Sequence, residues 1–509
     1  MPDLDKRQLE TRVAEMLGRQ PSVGLAAGVV RDGALMFFIA HGVADIPSRT
    51  PVTEDTVFRI GSITKTITAL AMMQLVERGL VDLDAPANDY VRAFRLVPAK
   101  ASFRPPTVRH LLTHTAGVGY WRRLSDLLQP GVGSGIRAGR SGAPPLADYY
   151  RRGLPVEIQP GTRWIYSNHG FAALGQLVED VSGQPLDHYL REHIFAPLGM
   201  EHSDLVRSER VRPRLAIGYM LRSHGLKPVA DREVPTPGGG GLYASTADMA
   251  RYLAALLGGG TGEHGQVLKP DTLASMFQPH FQPDARVPGM GLGFELGEES
   301  SGHATVGKTG VVVGFLSAMM LAPDDGIGVV VFTNTGGLDG RGVAEPLAVA
   351  LLRRLLGLPD AVIRADIPVR PENWREVCGW YSPDAGPVTN LFLRASMGAG
   401  AEVTVHDGQL LLKPLTPIPA MRRGLRLYPD DPDDPWVFRV EFPNYGKNSR
   451  VMFSRGPEDG GAPMRLLLDV MSLQKRPEVR NPRRWVNGGL AAGAAALAIR
   501  RGLRRRASG

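Results

Sequence analysis

Cysteine is almost missing from this chain. Cys378 is the single one in 509 residues, so no intrachain disulfide can form, which suits a reducing compartment. Long apolar runs are missing too. Val486 to Ile499 is short and mostly Ala and Gly, well under the roughly 20 apolar residues a spanning helix needs. The stretch Met1 to Gln20 lacks the apolar core of a signal peptide and carries Asp5, Lys6, Arg7, Glu10, Arg12 and Glu15 instead. It predicts an amphipathic helix and a cytoplasmic protein. No repeats, no phosphate-binding glycine loop and no metal-ligand cluster with workable spacing stand out, so neither a metal nor a cofactor is expected. The pair His110/His114 is spaced i, i+4 but has no third ligand nearby in sequence. Net positive charge is missing outside the C-terminal segment. Of the formal net charge of +8, the residues from Lys475 onward supply +9, with ten basic and one acidic side chain, so the remainder sums to −1. A nucleic-acid partner would need a basic face interleaved with aromatics on a folded module, and none is seen. The polybasic end predicts weak contact with an anionic membrane surface, at about 1 kcal/mol per basic residue. The competing reading is a solvated tail.

What the chain does contain is chemistry at helical spacing. Ser62-Ile63-Thr64-Lys65 places a hydroxyl and an amine one turn apart, and residues i and i+3 share a helix face. A lysine whose pKa is lowered by burial or by neighbouring charge can take a serine's proton. Gly61-Ser62 opens the helix, Thr66 to Arg78 continues it, and Gly79 is a suitable stop. Thr68 to Val76 is apolar on nearly every side, so the helix reads as buried. The same four residues would also fit a capped core helix. Tyr166-Ser167-Asn168 follows the Pro160-Gly161 turn signal and offers a phenol and an amide; a tyrosine satisfied in a loop is the plainer reading. Lys308-Thr309-Gly310 precedes the β-branched run that begins at Val311. Lysine and threonine there suit a carboxylate, and glycine would let a substrate backbone approach the strand. An ordinary turn before a strand is the alternative.

In this order, S-x-x-K, Y-x-N and K-T-G resemble class C β-lactamases and the DD-peptidases and esterases related to them. Leu111-Leu112-Thr113-His114-Thr115-Ala116-Gly117, Pro197-Leu198-Gly199-Met200 and Gly239 to Met249 fit the same family, and the likeness extends over about residues 10–355. The resemblance implies that Ser62 is the acylated nucleophile and that Lys65 and Tyr166 share general-base and proton-shuttle work. It implies that Asn168 binds the substrate amide, that Lys308 and Thr309 hold a substrate carboxylate, and that the backbone N–H groups of Ser62 and Val311 form the oxyanion hole beside Gly310. Many relatives carry histidine, and many esterases of the group tryptophan, where this chain has Lys308; lysine tilts it toward carboxylate-bearing substrates. His303, five residues upstream, reads as a strand or turn residue.

The fold class expected is α+β: an antiparallel sheet flanked by helices with a helical subdomain, followed by a small all-β domain. Residues 1–357 form the hydrolase domain, 358–371 a linker, 372–474 an all-β domain and 475–509 the basic tail. Ser22 to Val30 and Ala34 to Val43 read as strands around Arg31-Asp32-Gly33. The sheet resumes near Thr305 and ends near Thr333, and a helix from Val343 to Leu355 closes the domain. Gln129 to Pro145 reads as a mobile loop near the site entrance. The all-β part resembles the lipocalin-like barrel attached to some serine hydrolases of this family. The predicted activity is acyl-enzyme hydrolysis of a β-lactam, a D-Ala-type peptide or a related amide or ester. The alternatives are a carboxylesterase for small acyl esters and a non-turnover penicillin-binding or ligand-sensing protein. The partner is a small-molecule or peptide substrate.

Overall fold

The computed structural model describes residues 6–119, 144–222, 225–298, 302–336, 342–364, 366–383, 398–416, 419–442, 447–455 and 463–483. Most of the stretch read as an entrance loop, and the tail beyond Arg483, lie outside the described residues.

Helix α1 (Lys6–Arg19) buries Leu9, Val13 and Leu17, spaced i, i+4, i+8 along one stripe. Strands β1 (Gly24–Arg31) and β2 (Ala34–Asp45) follow as a hairpin. Its turn residues Asp32 and Gly33 both take positive φ, 52° and 77°, the conformation that an Asp-Gly pair supports. Strand β1 is apolar without alternation because both its faces are covered. Leu25, Ala27 and Val29 face α1 and the later helix Ala344–Leu355, whereas Ala26 and Val30 join the larger core on the other side.

The helices and strands that position the site can be given in chain order. They are β3 (Thr50–Pro51), α2 (Thr64–Glu77), α3 (Asn168–Ser182), α4 (Thr246–Leu257), β4 (Glu295–Glu298), β5 (Ala304–Val312), β6 (Phe315–Ala322), β7 (Ile327–Thr333) and α5 (Ala344–Leu355). The sheet order is β4-β5-β6-β7-β1-β2-β3, antiparallel throughout. Helices α1 and α5 cover one face; α4 and the large core that contains α2 and α3 cover the other. Each fully buried leucine in these layers contributes about 1.5–3 kcal/mol relative to an exposed one. The first part of the chain is thus an α+β fold, helices on both sides of an antiparallel sheet. One expectation is corrected: the sheet resumes at Glu295, ten residues before Thr305, because β4 is a short edge strand that continuous apolar character does not announce.

Between α5 and the second sheet, the described residues 358–364 and 366–370 form neither helix nor strand. A nine-stranded antiparallel sheet follows, from Gly379–Pro383 to Met471–Arg476. Each strand pairs with the next in sequence except Leu425–Arg426 and Tyr428–Pro429, which form the two ends of the sheet, and the first strand pairs with the last, so the sheet curls back on itself. Tyr381, Val403, Leu412, Phe438, Phe453 and Leu473 fill its inside. The expected boundary at 474 falls within the last strand. The docked chain runs further, since Asn481 is fully buried and its amide donates to Glu402 at 2.8 Å.

The two sheets meet through the loop before β4. Val287 is buried among Val437, Met452 and Leu467. Beside it, Arg286 donates to Asp284 at 2.8 Å and to Asp434 at 2.8 Å. Asp284 is held well below the usual carboxylate range, chiefly by its hydrogen bonds from Arg286. Among the described residues, no helix is long and apolar enough to cross a membrane.

Candidate active site

The site begins where a backbone constraint sets up a helix. Gly61 takes a φ of 52°, and residues 61–63 make one 3-10 turn that runs directly into α2. Thr64 donates to the Gly61 carbonyl at 2.6 Å and accepts from the Leu242 N–H at 3.1 Å, and Thr68 donates to the Gly238 carbonyl at 2.8 Å. The first turns of α2 are therefore stitched to the glycine-rich run 238–241. Ser62 and Lys65 emerge on one face, as their spacing predicts. Lys65 is fully buried and Ser62 half-buried.

Lys65 Nζ lies 3.0 Å from Ser62 Oγ. It also donates to Asn168 Oδ1 at 2.7 Å and to the Gly239 carbonyl. Burial, reinforced by the charge of Lys308, holds the Lys65 amine well below the ordinary lysine range. Tyr166 donates its phenol hydrogen to Ser62 Oγ at 2.6 Å. Desolvation pushes that phenol up, only partly opposed by the bond to Ser62. Ser167 caps α3 by accepting from the Gly170 N–H at 3.1 Å, so that Asn168 opens the helix and faces Lys65. Tyr166 and Asn168 thus flank a helix N-terminus.

Lys308 projects from β5 and is 2% exposed; its ammonium nitrogen stands 5.0 Å from the centre of the Tyr166 ring. It is already paired with the carboxylate of Glu295, on β4, which is 42% exposed. Lys308, from which contact with a substrate carboxylate is expected, here meets a carboxylate of the chain itself. Thr309 is half-buried on the same strand. Gly310 is approached closely from within the chain. A Cβ there would lie 2.1 Å from the Ile60 carbonyl oxygen and 2.4 Å from Ser317 Oγ. It is the chain's own Ile60 backbone, held by Ser317 at 2.8 Å, that approaches the strand. A Cβ at Gly61 would in turn lie 2.9 Å from the Val311 nitrogen, so the Ser62 turn packs directly on the Val311 amide. The structure therefore brings together Ser62, Lys65, Tyr166, Asn168, Lys308, Thr309, Gly310 and Val311.

Three neighbours were not singled out by sequence. Glu295 sits on the unexpected edge strand. Gly239 stood in a motif with no role attached. His114 stands in a motif as half of a histidine pair without a third ligand, and its ring lies against that of Tyr166 while its Nδ1 accepts from the Ser167 N–H. His110 uses its Nδ1 to accept from the Thr107 N–H, so the two histidines have separate tasks. His303 pairs with Asp325 at 2.8 Å. Among the described residues, no group of His, Cys, Asp or Glu is arranged to hold a metal.

A serine hydroxyl within reach of a buried amine and a phenol, at the start of a helix beside an antiparallel sheet, defines a serine hydrolase that works through an acyl-enzyme. The chain belongs to the beta-lactamase family, whose model matches residues 9–354. It is 32% identical over 390 residues to "Esterase EstB" of Burkholderia gladioli, covering 68% of this chain and 93% of that one. It is 30% identical over 380 residues to "Penicillin-binding protein 4" of Amycolatopsis lactamdurans, covering 71% and 94%. Among solved structures, the octameric penicillin-binding protein homologue from Pyrococcus abyssi superposes with a TM-score of 0.61 at 25% identity, covering 93% of this chain and all of that one.

Proposed function

We propose that Ser62 is the acylated nucleophile and that Lys65, as the free amine, is the base that activates it. The hydrogen inventory of Lys65 carries this reading. A neutral amine has two hydrogens and one lone pair. Asn168 Oδ1 and the Gly239 carbonyl accept only, so they take both hydrogens. The lone pair is left for the third neighbour, the Ser62 hydroxyl at 3.0 Å. The Ser62 proton passes to Lys65 as Oγ attacks the acyl carbon. The oxygen of the carbonyl becomes an oxyanion, stabilised by the N–H groups of Ser62 and Val311. Tyr166, kept protonated by its surroundings, supplies a proton to the leaving group and recovers one by way of Lys65. Water then releases the acyl group by the same path in reverse. Asn168, with its oxygen on Lys65, has its NH₂ left for the substrate carbonyl. Thr309 and the outer edge of β5 run along the acyl chain.

The substrate is a small ester or amide, and the pairing of Lys308 with Glu295 favours an ester without a free carboxylate over a D-Ala-type peptide or a β-lactam. A panel of p-nitrophenyl butyrate, nitrocefin and a D-Ala-D-Ala peptide, each with wild type and Ser62→Ala, tests this. Ser62-dependent turnover of the ester, exceeding that of the two carboxylate-bearing compounds, is expected. Turnover undiminished in Ser62→Ala would remove Ser62 from the mechanism.

A further inference from the structure

Among the described residues, Glu295 is the one carboxylate that touches this site, and the motifs give it no task. It opens β4, paired in register with Gly307. Beyond that pair, among the described residues, β5 has no strand partner on this side from Lys308 to Val312. An acyl chain laid along that open edge would meet the Glu295 side chain at its end. One carboxylate oxygen holds the buried Lys308 ammonium. The other has no hydrogen-bond partner among the described residues, and the side chain is 42% exposed. Its charge is also felt by both Lys65 and Tyr166.

We propose that Glu295 sets the charge of the acyl donor: the site favours donors with a cationic group near the scissile carbonyl, accepts neutral ones, and disfavours those with a carboxylate. The reasoning is electrostatic. Lys308 and Glu295 sum to zero, so the site has no net positive charge to offer an anion. A substrate carboxylate must either sit beside Glu295 or displace it from a buried ammonium, and both are unfavourable. A substrate cation meets an exposed carboxylate oxygen that still has lone pairs to give. This assignment rests on the acyl-enzyme reading above.

The test uses three p-nitrophenyl esters built on a four-carbon acyl chain: the butyrate, the 4-guanidinobutyrate, whose N–H groups can donate to a carboxylate, and the hemisuccinate. The readout is the ratio of kcat/KM for the cationic ester to that for the anionic one, each normalised to the butyrate. In wild type the ratio should exceed one by about tenfold or more, the scale of one charge-assisted contact. Glu295→Gln should collapse it by about tenfold, largely through a gain for the hemisuccinate as Lys308 becomes available. Glu295→Asp, which keeps the charge, should preserve the order and shows that the strand still folds. A ratio unmoved by Glu295→Gln, with turnover that still depends on Ser62, overturns the Glu295 assignment alone. Turnover that survives Ser62→Ala, or a wild type that hydrolyses none of the three, overturns the acyl-enzyme reading and this assignment with it.

Discussion

The imidazole of His114 lies against the phenol ring of Tyr166, ring centres 4.6 Å apart, while its Nδ1 accepts the N–H of Ser167 at 3.2 Å. One buried histidine therefore fixes both the ring that reaches Ser62 and the cap of α3. It does so from a φ of 58°, in the left-handed region that asparagine tolerates better than most residues.

His114→Ala should lower kcat more than it raises KM, because it acts on the substrate only through Tyr166. It should also cost about 1–3 kcal/mol, since the Ser167 N–H loses its acceptor in a buried place. His114→Asn retains an acceptor and the backbone conformation and should recover part of both losses. Burial, with the charge of Lys308, holds His114 far below its ordinary 6.5. The unfolded chain therefore binds a proton that the folded chain refuses. The stability is fully present above about pH 6.5 and is lost as pH falls, by up to about 1.4 kcal/mol per pH unit. Urea unfolding between pH 5 and 8 should show that slope reduced by one proton in His114→Asn. An identical slope in both proteins would refute the assignment.

Lys65→Ala and Lys65→Arg should be equally inactive, each down by about 10²–10⁴-fold in kcat. Arginine keeps a positive charge but offers no lone pair. In wild type, kcat/KM should rise with pH as Lys65 sheds its proton, on a limb well below the ordinary 10.5. Tyr166→Phe should also be strongly impaired, and the double variant should lose less than the product of the two single losses, because one proton path is shared. An active Lys65→Arg enzyme would rule out the base role.

Gly310→Ala should be poorly tolerated. The added carbon would fall 2.1 Å from the Ile60 oxygen and 2.4 Å from Ser317 Oγ, so β5 must retreat from the turn that carries Ser62. Overpacking of this kind costs about 1–3 kcal/mol or more. Thermal melting should report the loss of stability, and labelling of Ser62 by a fluorescent fluorophosphonate should report the loss of the site. Full labelling at wild-type rate would contradict the packing argument.

Arg286→Ala should loosen the second sheet from the first. The guanidinium bridges Asp284 and Asp434 and is about a third exposed, which moderates the cost to about 1–3 kcal/mol. Asp284 contributes stability that is present above its ordinary value of 3.8 and lost as pH falls below it, because its folded pKa is depressed. Limited proteolysis should cut Arg286→Ala faster near residues 358–370. A double-mutant cycle of Arg286 with Asp434 that shows no coupling would count against the bridge.

Ending the chain after Arg483 should leave ester hydrolysis intact and weaken binding to anionic vesicles. The residues beyond Arg483 carry six arginines and no acidic side chain. Added salt should weaken the full-length protein's binding as the Debye length shortens to about 8 Å. Equal vesicle binding by the two lengths would favour a merely solvated tail. Cutting at Leu473 instead would remove a buried residue and half of a strand, and would confuse the result.

Much of this was legible in the sequence because the chemistry sits at local spacing. Ser62 and Lys65 share a helix turn, Tyr166 and Asn168 share a cap, and Lys308 to Val311 share a strand. The Asp32-Gly33 turn and the apolar run of β1 announced the first hairpin. Glu295 escaped because a four-residue edge strand carries too little pattern, and because its partner lies thirteen residues on and only across a sheet register. Gly310 was noticed for a correct physical reason, close backbone approach, but sequence does not say whose backbone comes close. His114 shows its role only when residues 114 and 166 meet in space.

Val287 has a consequence for inheritance. It is buried against Val437, Met452 and Leu467 of the second sheet. Separation of the two parts would bare four apolar side chains and leave Arg286 without Asp434. Newly bared apolar patches draw chains together. A gene shortened between the two parts would leave the hydrolase with a single bared valine, whereas Val437, Met452 and Leu467 would all be bared on a second sheet made alone. The cost of parting the two therefore falls mainly on the second sheet, which depends on the hydrolase for its cover.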